Sequence, residues 1–253
     1  MVSTEHLMEP QVSQQVNLNM LGLGNNISTS AVTSEFSILN TSPDLWLQFD
    51  TGQTTPDIDA DGDTDNKWAD SSGNNNHATQ TVDAYEGTFV DGDWSSGNNQ
   101  DFLNLTSNVV LTDAFTIFFV FVFEGTNDTF IGSSTGDFMR FGHGNNPTLY
   151  KSRFGGSTAN AITITSPTTN KALYRVERNA SDKLKITQNS NSVLVTDGAL
   201  NEADFTFNKI PAGSFGLSDK YFSEMVIFNR ALTSSETASI EADILTRTSL
   251  TAD

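Results

Sequence analysis

From Leu45 onward, short apolar runs alternate with clusters of Gly, Asn, Asp and Ser. That spacing predicts an antiparallel β-sandwich and argues against a helical bundle. The clearest run is AFTIFFVFVF, residues 114 to 123. A period of two places Phe115, Ile117, Phe119, Phe121 and Phe123 on one face and Phe118, Val120 and Val122 on the other. Two apolar faces predict a central strand covered on both sides. Residues 171 to 198, KALYRVERNASDKLKITQNSNSVLVTDG, alternate apolar and polar positions with turns at Asn179 to Asp182 and around Asn189 to Ser192. They predict successive antiparallel strands. One helix is predicted near the C-terminus, where Thr233 and Glu236 form a T-x-x-E capping box. Ala238, Ile240, Ile244 and Leu245 follow at helical spacing, so this helix should pack against the sandwich.

Residues 1 to 41 differ from the rest. They are rich in Ser, Thr, Asn and Gln, with two small apolar clusters, Leu18, Met20, Leu21, Leu23 and then Phe36, Ile38, Leu39. This segment carries too little apolar surface to offset the entropy of ordering it alone. It reads as an extended N-terminal arm that docks on something else, followed by one sandwich domain over residues 42 to 253.

Composition narrows the chemistry. A chain of 253 residues buries roughly 70 to 75% of its unfolded surface and needs no disulfide to be stable. It contains no cysteine, which removes thiol catalysis, thiolate metal sites and disulfide frameworks. With 13 basic against 31 acidic residues the formal net charge is −18, which disfavours nucleic acid and anionic membranes as partners. The opening MVSTEHLMEP has neither a basic region nor an apolar core of the kind that directs secretion, and no apolar run approaches the ~18 residues of a membrane span.

Three landmarks carry a family resemblance: LWLQFD at residues 45 to 50, DGDTDNKWADSSGNNNHATQ at 61 to 80, and FSEMVIFNRALTSSETASIEADI at 222 to 244. Their succession resembles concanavalin A-like, laminin-G-like jelly rolls of bacterial and phage proteins. In that family W-x-D-x-S-G-x-x-x-H-A leads into the first sheet, and E-x-x-x-[FY]-N-R-x-L-[ST] joins the last strand to a short helix. The resemblance covers roughly residues 44 to 247 and implies an all-β jelly-roll sandwich. The arm segment VNLNMLGLGNNISTS, residues 16 to 30, resembles the openings of virion structural proteins from tailed phages, marine cyanophages in particular. Together the resemblances imply a non-enzymatic virion protein, a decoration of the outer capsid. It would be assembled in the cytoplasm of a bacterial host and displayed on the virion surface. Its partners would be the major capsid protein, other virion proteins or further copies of itself in a homo-oligomer. The alternative is a carbohydrate-binding module on a tail or head that recognises host surface glycans, and a third reading is the inactive remnant of a glycosidase.

Specific residues attach to these readings. Asp57, Asp59, Asp61 and Gly62 match the opening of a calcium loop, with Asp63 offering its carbonyl and Asp65 a water-bridged carboxylate. The twelfth position, which should supply a bidentate glutamate, is Trp68. The same run also reads as a solvated acidic loop. For a sugar ligand, Trp94 and Tyr150 are the aromatic candidates, each with a core position as its alternative. Paired catalytic carboxylates on a strand are not found: Glu202 and Asp204 fall in a loop-like stretch, and Glu241 and Asp243 on the predicted helix. His77 is expected to pack or hydrogen-bond at the opening turn, and Arg230 to tie the last strand to the helix.

Overall fold

The computed structural model describes residues 36–54, 66–95, 101–123, 128–133, 136–143, 146–155, 160–165, 167–199, 203–210 and 221–252. Contacts group the described residues from Phe36 onward as one compact unit. Residues 36 to 41, assigned to the arm from sequence, therefore belong to the sandwich unit.

In chain order the strands are β1 (Leu45–Leu47), β2 (Gln53–Thr54), β3 (Asn66–Trp68), β4 (Ala78–Gln80), β5 (Thr88–Val90), β6 (Asp93–Ser95), β7 (Leu103–Leu111), β8 (Phe115–Val122) and β9 (Asp128–Gly132). They continue as β10 (Phe138–His143), β11 (Asn146–Arg153), β12 (Asn160–Thr163), β13 (Lys171–Arg178), β14 (Lys183–Gln188), β15 (Ser192–Ala199), β16 (Phe205–Ile210) and β17 (Tyr221–Phe228), before helix α1 (Ser234–Arg247). One sheet runs β15-β14-β13-β8-β17-β6-β5, with β1 added beside β17. The other runs β12-β11-β10-β9-β16-β7-β4-β3-β2. The protein is a jelly-roll-like β-sandwich of two antiparallel sheets with one C-terminal helix, as the strand spacing and capping box predicted.

The two-faced strand lies in the middle of the first sheet, between β13 and β17. Phe115, Ile117, Phe119, Phe121 and Phe123 enter the core between the sheets, while Phe118 and Val120 enter a second core under α1. The ring of Phe119 stacks on Phe130 of the opposite sheet at 4.2 Å between centroids. Helix α1 starts where its capping box requires: Thr233 Oγ1 accepts from the Glu236 N–H, and the Glu236 carboxylate accepts from the Thr233 N–H at 2.8 Å. Its buried apolar side chains, Ile240, Ile244 and Leu245, share the second core with Trp46 and Ile38. Ile38 is fully buried there. Its assignment as a docking residue is corrected: it belongs to the domain's own core, because α1 and β1 leave an apolar gap that it fills. Phe36 and Leu39, at 38% and 50% exposure, stay on the surface. Leu18, Met20, Leu21 and Leu23 lie outside the described residues.

The opening turn is held together by its own polar side chains. The Asp70 carboxylate accepts the N–H groups of Trp46 (3.1 Å), Ser72 (2.9 Å) and Asn76 (3.0 Å) and the Ser72 hydroxyl (2.8 Å). The Asp70 N–H donates to His77 Nδ1 at 3.0 Å. Here WADSSGNNNHATQ closes a turn that would otherwise bury unsatisfied donors. At the other end, Arg230 donates to Glu236 Oε1 at 2.8 Å and to the Thr41 carbonyl at 2.9 Å, binding the last strand to the helix as expected.

Candidate functional site

The two aromatic residues proposed as sugar platforms are in the core. Trp94 and Tyr150 have no exposed surface, so neither ring is accessible for stacking, and the alternative reading of each is the one observed. For Trp94 the reason is a tight hairpin. Asp91 (φ 51°) and Gly92 (φ 83°) take the left-handed conformations that a two-residue turn demands, and Phe89 pairs with Trp94 across β5 and β6. The D-G pair in VDGDW is the signal for that hairpin. Tyr150 lies opposite Phe141 and Ile162 and meets the Phe141 ring edge-on at 5.8 Å. Burial pushes its phenol pKa up. Asp57, Asp59, Asp61, Asp63 and Asp65 all lie outside the described residues. Among the described residues no three His, Asp or Glu side chains come together as a metal would need.

The outer face of the nine-stranded sheet carries a set of partly exposed polar and aromatic side chains. Its pairing places one residue from each of eight strands in a continuous row: Thr54, Lys67, Thr79, Asn104, Lys209, Gly132, Phe138 and Arg153. Side chains directly opposite one another share a face. The neighbours of Lys67 and Phe138 along the chain, Trp68 and Met139, point into the core, so this row points away from it. The row holds three cations, one aromatic ring and no carboxylate.

Ring contacts order two of these cations, Lys209 and Arg153. The Lys209 ammonium lies 3.9 Å from the centre of the Phe102 ring, and Phe102 stacks on Tyr85 at 5.5 Å. Phe138 carries the Arg140 and Arg153 guanidinium groups at 4.9 and 5.3 Å from its centre. Arg153 Nε also donates to the Gly136 carbonyl, which holds that side chain in place. Burial, and secondarily the charge of Arg153, lowers the Arg140 pKa, and burial lowers that of Lys209.

Several cations of the other sheet and of α1 are ion-paired. Lys171 is paired with Asp93 (2.7 Å), Arg175 with Glu177 (2.9 Å) and Glu241, and Arg247 with Glu224 (2.5 Å) and Asp243. Lys67, Lys209 and Arg153 form no ion pair among the described residues. Sequence reasoning missed the row. Alternation in DFMRFGH and FLNLT allowed Phe138 and Phe102 to be put on the face opposite Met139 and Leu103, but which face was core, and which strands lay side by side, depended on the sheet order.

No protein-family model matches the chain, and no curated protein matches it in sequence. Solved structures share its fold. The Botulinum neurotoxin serotype D ligand-binding domain, in complex with N-acetylneuraminic acid, superposes with a TM-score of 0.57 at 12% identity, over 83% of this chain and 54% of that one. Trypanosoma rangeli sialidase, in complex with sialic acid, gives 0.52 at 10% identity, over 82% and 33%. The Botulinum neurotoxin type G receptor-binding domain gives 0.51 at 14% identity, over 80% and 51%. This chain spans about half the length of the toxin domains, and the likeness is one of fold.

Proposed function

We propose that this chain is a non-catalytic glycan-binding module whose ligand lies across the outer face of the nine-stranded sheet. The observation that carries the reading is the row from Thr54 to Arg153, in which hydrogen-bonding, cationic and aromatic groups, most of them partly exposed, share one face. Sugars are bound by such mixtures, through polar contacts to hydroxyls and apolar contacts to ring faces. Fold neighbours whose structures hold N-acetylneuraminic acid or sialic acid support the same reading, as does a row without the paired carboxylates that glycoside hydrolysis needs. A glycan array probed with the intact chain and with Phe138→Ala tests it. Binding to at least one glycan class, weakened in the variant, is expected. Absence of binding to every glycan would end the proposal.

A virion position is a second proposal, and it concerns where the module is displayed. It is favoured by the resemblance of VNLNMLGLGNNISTS to tailed-phage structural proteins, and by Phe36 and Leu39, exposed at the start of the sandwich, as anchors toward a capsid partner. Deleting residues 1 to 35 should remove the protein from particles. The deletion must stop there, because Ile38 belongs to the core. Full occupancy by the truncated protein would rule the docking role out.

A further inference from the structure

We infer that the ligand of the outer face is a sparsely charged acidic polysaccharide, bound as an extended chain across the strands. The inference rests on the glycan-binding reading and adds the charge class and the length of the ligand.

The first step is electrostatic. In a chain of net charge −18, carboxylate partners for cations are plentiful. Lys171, Arg175, Arg230 and Arg247 each have one. Lys67, Lys209 and Arg153 form no ion pair among the described residues, and pairing places all three in one row on one face. A half-buried lysine above a ring and an arginine held by a carbonyl are already ordered, so an anion that meets them costs little further side-chain entropy.

The second step is spacing. From Lys67 the row passes β4 and β7 to reach Lys209, and from Lys209 it passes β9 and β10 to reach Arg153. Each interval is three strand separations, about 14 Å at ~4.8 Å per strand. A single sugar residue reaches only one of these cations. A chain crossing the sheet reaches all three, with Thr79 and Asn104 offering hydrogen bonds in the first interval and Phe138 an apolar contact in the second.

The third step distinguishes polymers by charge density. A nucleic acid strand carries a phosphate about every 3.4 Å, so the length spanning three cations would bring roughly eight negative charges onto an acidic protein. The surplus is repelled. A polysaccharide with a carboxylate on alternate sugars comes nearer to the spacing of the cations.

Calorimetry with the intact chain tests the inference, using hyaluronan (one carboxylate per disaccharide), neutral dextran and oligo-dT as probes. Hyaluronan should bind, weaken as salt rises from about 0.05 to about 0.5 M, and exceed both other probes. Lys67→Gln and Lys209→Gln should each reduce hyaluronan affinity about tenfold, with unchanged circular dichroism and melting. Lys183→Gln with Lys185→Gln, on the opposite sheet, should leave it unchanged. Binding of dextran equal to hyaluronan, weakened by Phe138→Ala but not by the lysine variants, would overturn the charge class and leave the glycan reading standing. Tighter binding of oligo-dT than of hyaluronan would overturn it in favour of nucleic acid. Absence of binding to either polysaccharide, together with an array that detects no glycan, would overturn both readings.

Discussion

The Lys209 ammonium lies 3.9 Å from the centre of the Phe102 ring, and its pKa is lowered by burial. A lysine so placed loses its charge at lower pH than an exposed one. If it contacts an acidic glycan, binding by the wild-type protein should decline on the alkaline side before ordinary lysines titrate. Lys209→Arg keeps a charge at that position throughout. Affinity measured from about pH 7 to about pH 10 should therefore fall more in the wild type than in Lys209→Arg. Parallel profiles would remove Lys209 from the contact.

Arg230 and Glu236 make an acid-sensitive joint between β17 and α1. The Glu236 carboxyl is held at about 2 by hydrogen bonds from the Arg230 guanidinium, then from the Thr233 N–H and hydroxyl. Its folded pKa is below its ordinary value of 4.5, so the folded state favours the ionised form. The associated stability is complete above about pH 4.5 and is lost as pH falls through about 2. Glu236→Gln should lack this part of the acid-induced loss in a denaturation series. At neutral pH it should cost under ~1 kcal/mol, because glutamine also serves in a capping box.

How much was legible beforehand depended on whether the information was local. The two-faced β8 and the capping box of α1 are written in consecutive residues, through a period of two and a T-x-x-E signal, and the structure bears both out. The outer row was not legible, since Lys67 and Arg153 become members of one surface only through six successive strand pairings. Trp94 and Tyr150 read equally as sugar platforms or core residues for a related reason. Aromatic residues near glycines and asparagines are found in exposed loops and in tight hairpins alike, and only the partner across the turn distinguishes the two. Ile38 reads as part of the arm because its surroundings in sequence are polar, whereas its fellow core members Phe228 and Ile240 are distant in the chain.

Glu224 is fully buried beneath α1, accepting from Trp46 Nε1 at 2.9 Å and Arg247 Nη2 at 2.5 Å. Burial pushes its carboxyl pKa up, against the opposing pull of Arg247. Removing Arg247 leaves an uncompensated charge, so Arg247→Met should destabilise by about 3 to 5 kcal/mol at neutral pH. A raised folded pKa means that the penalty of burying the ionised group disappears as pH falls through it. The difference between Arg247→Met and wild type in urea should accordingly shrink in mild acid. Combining Arg247→Met with Glu224→Gln should recover part of the loss at neutral pH. An effect of Arg247→Met independent of pH would place its cost in packing against the Trp46 ring, which the guanidinium carbon overlies at 5.4 Å.

Core and outer aromatics should separate cleanly on substitution. Trp94 and Phe119 are fully buried, and Phe119 has ring neighbours in both sheets, Phe130 at 4.2 Å, Phe121 at 5.3 Å and Tyr174 at 5.6 Å. Truncating either residue to alanine opens a cavity that the surrounding β-sheets cannot close, at a cost of about 3 to 5 kcal/mol. Phe138 is half-buried on the outer face, with two guanidinium groups against its ring and no core contact to lose. Phe138→Ala should cost under ~1.5 kcal/mol, within the range of a cation–π pair and a little apolar area. Chemical denaturation gives the stabilities, and the glycan array the binding. The expected result is Trp94→Ala and Phe119→Ala unstable but unimpaired in binding where still folded, and Phe138→Ala stable but weakened in binding. The reverse assignment, with Trp94→Ala stable and unable to bind, would return the site to the hairpin of β5 and β6.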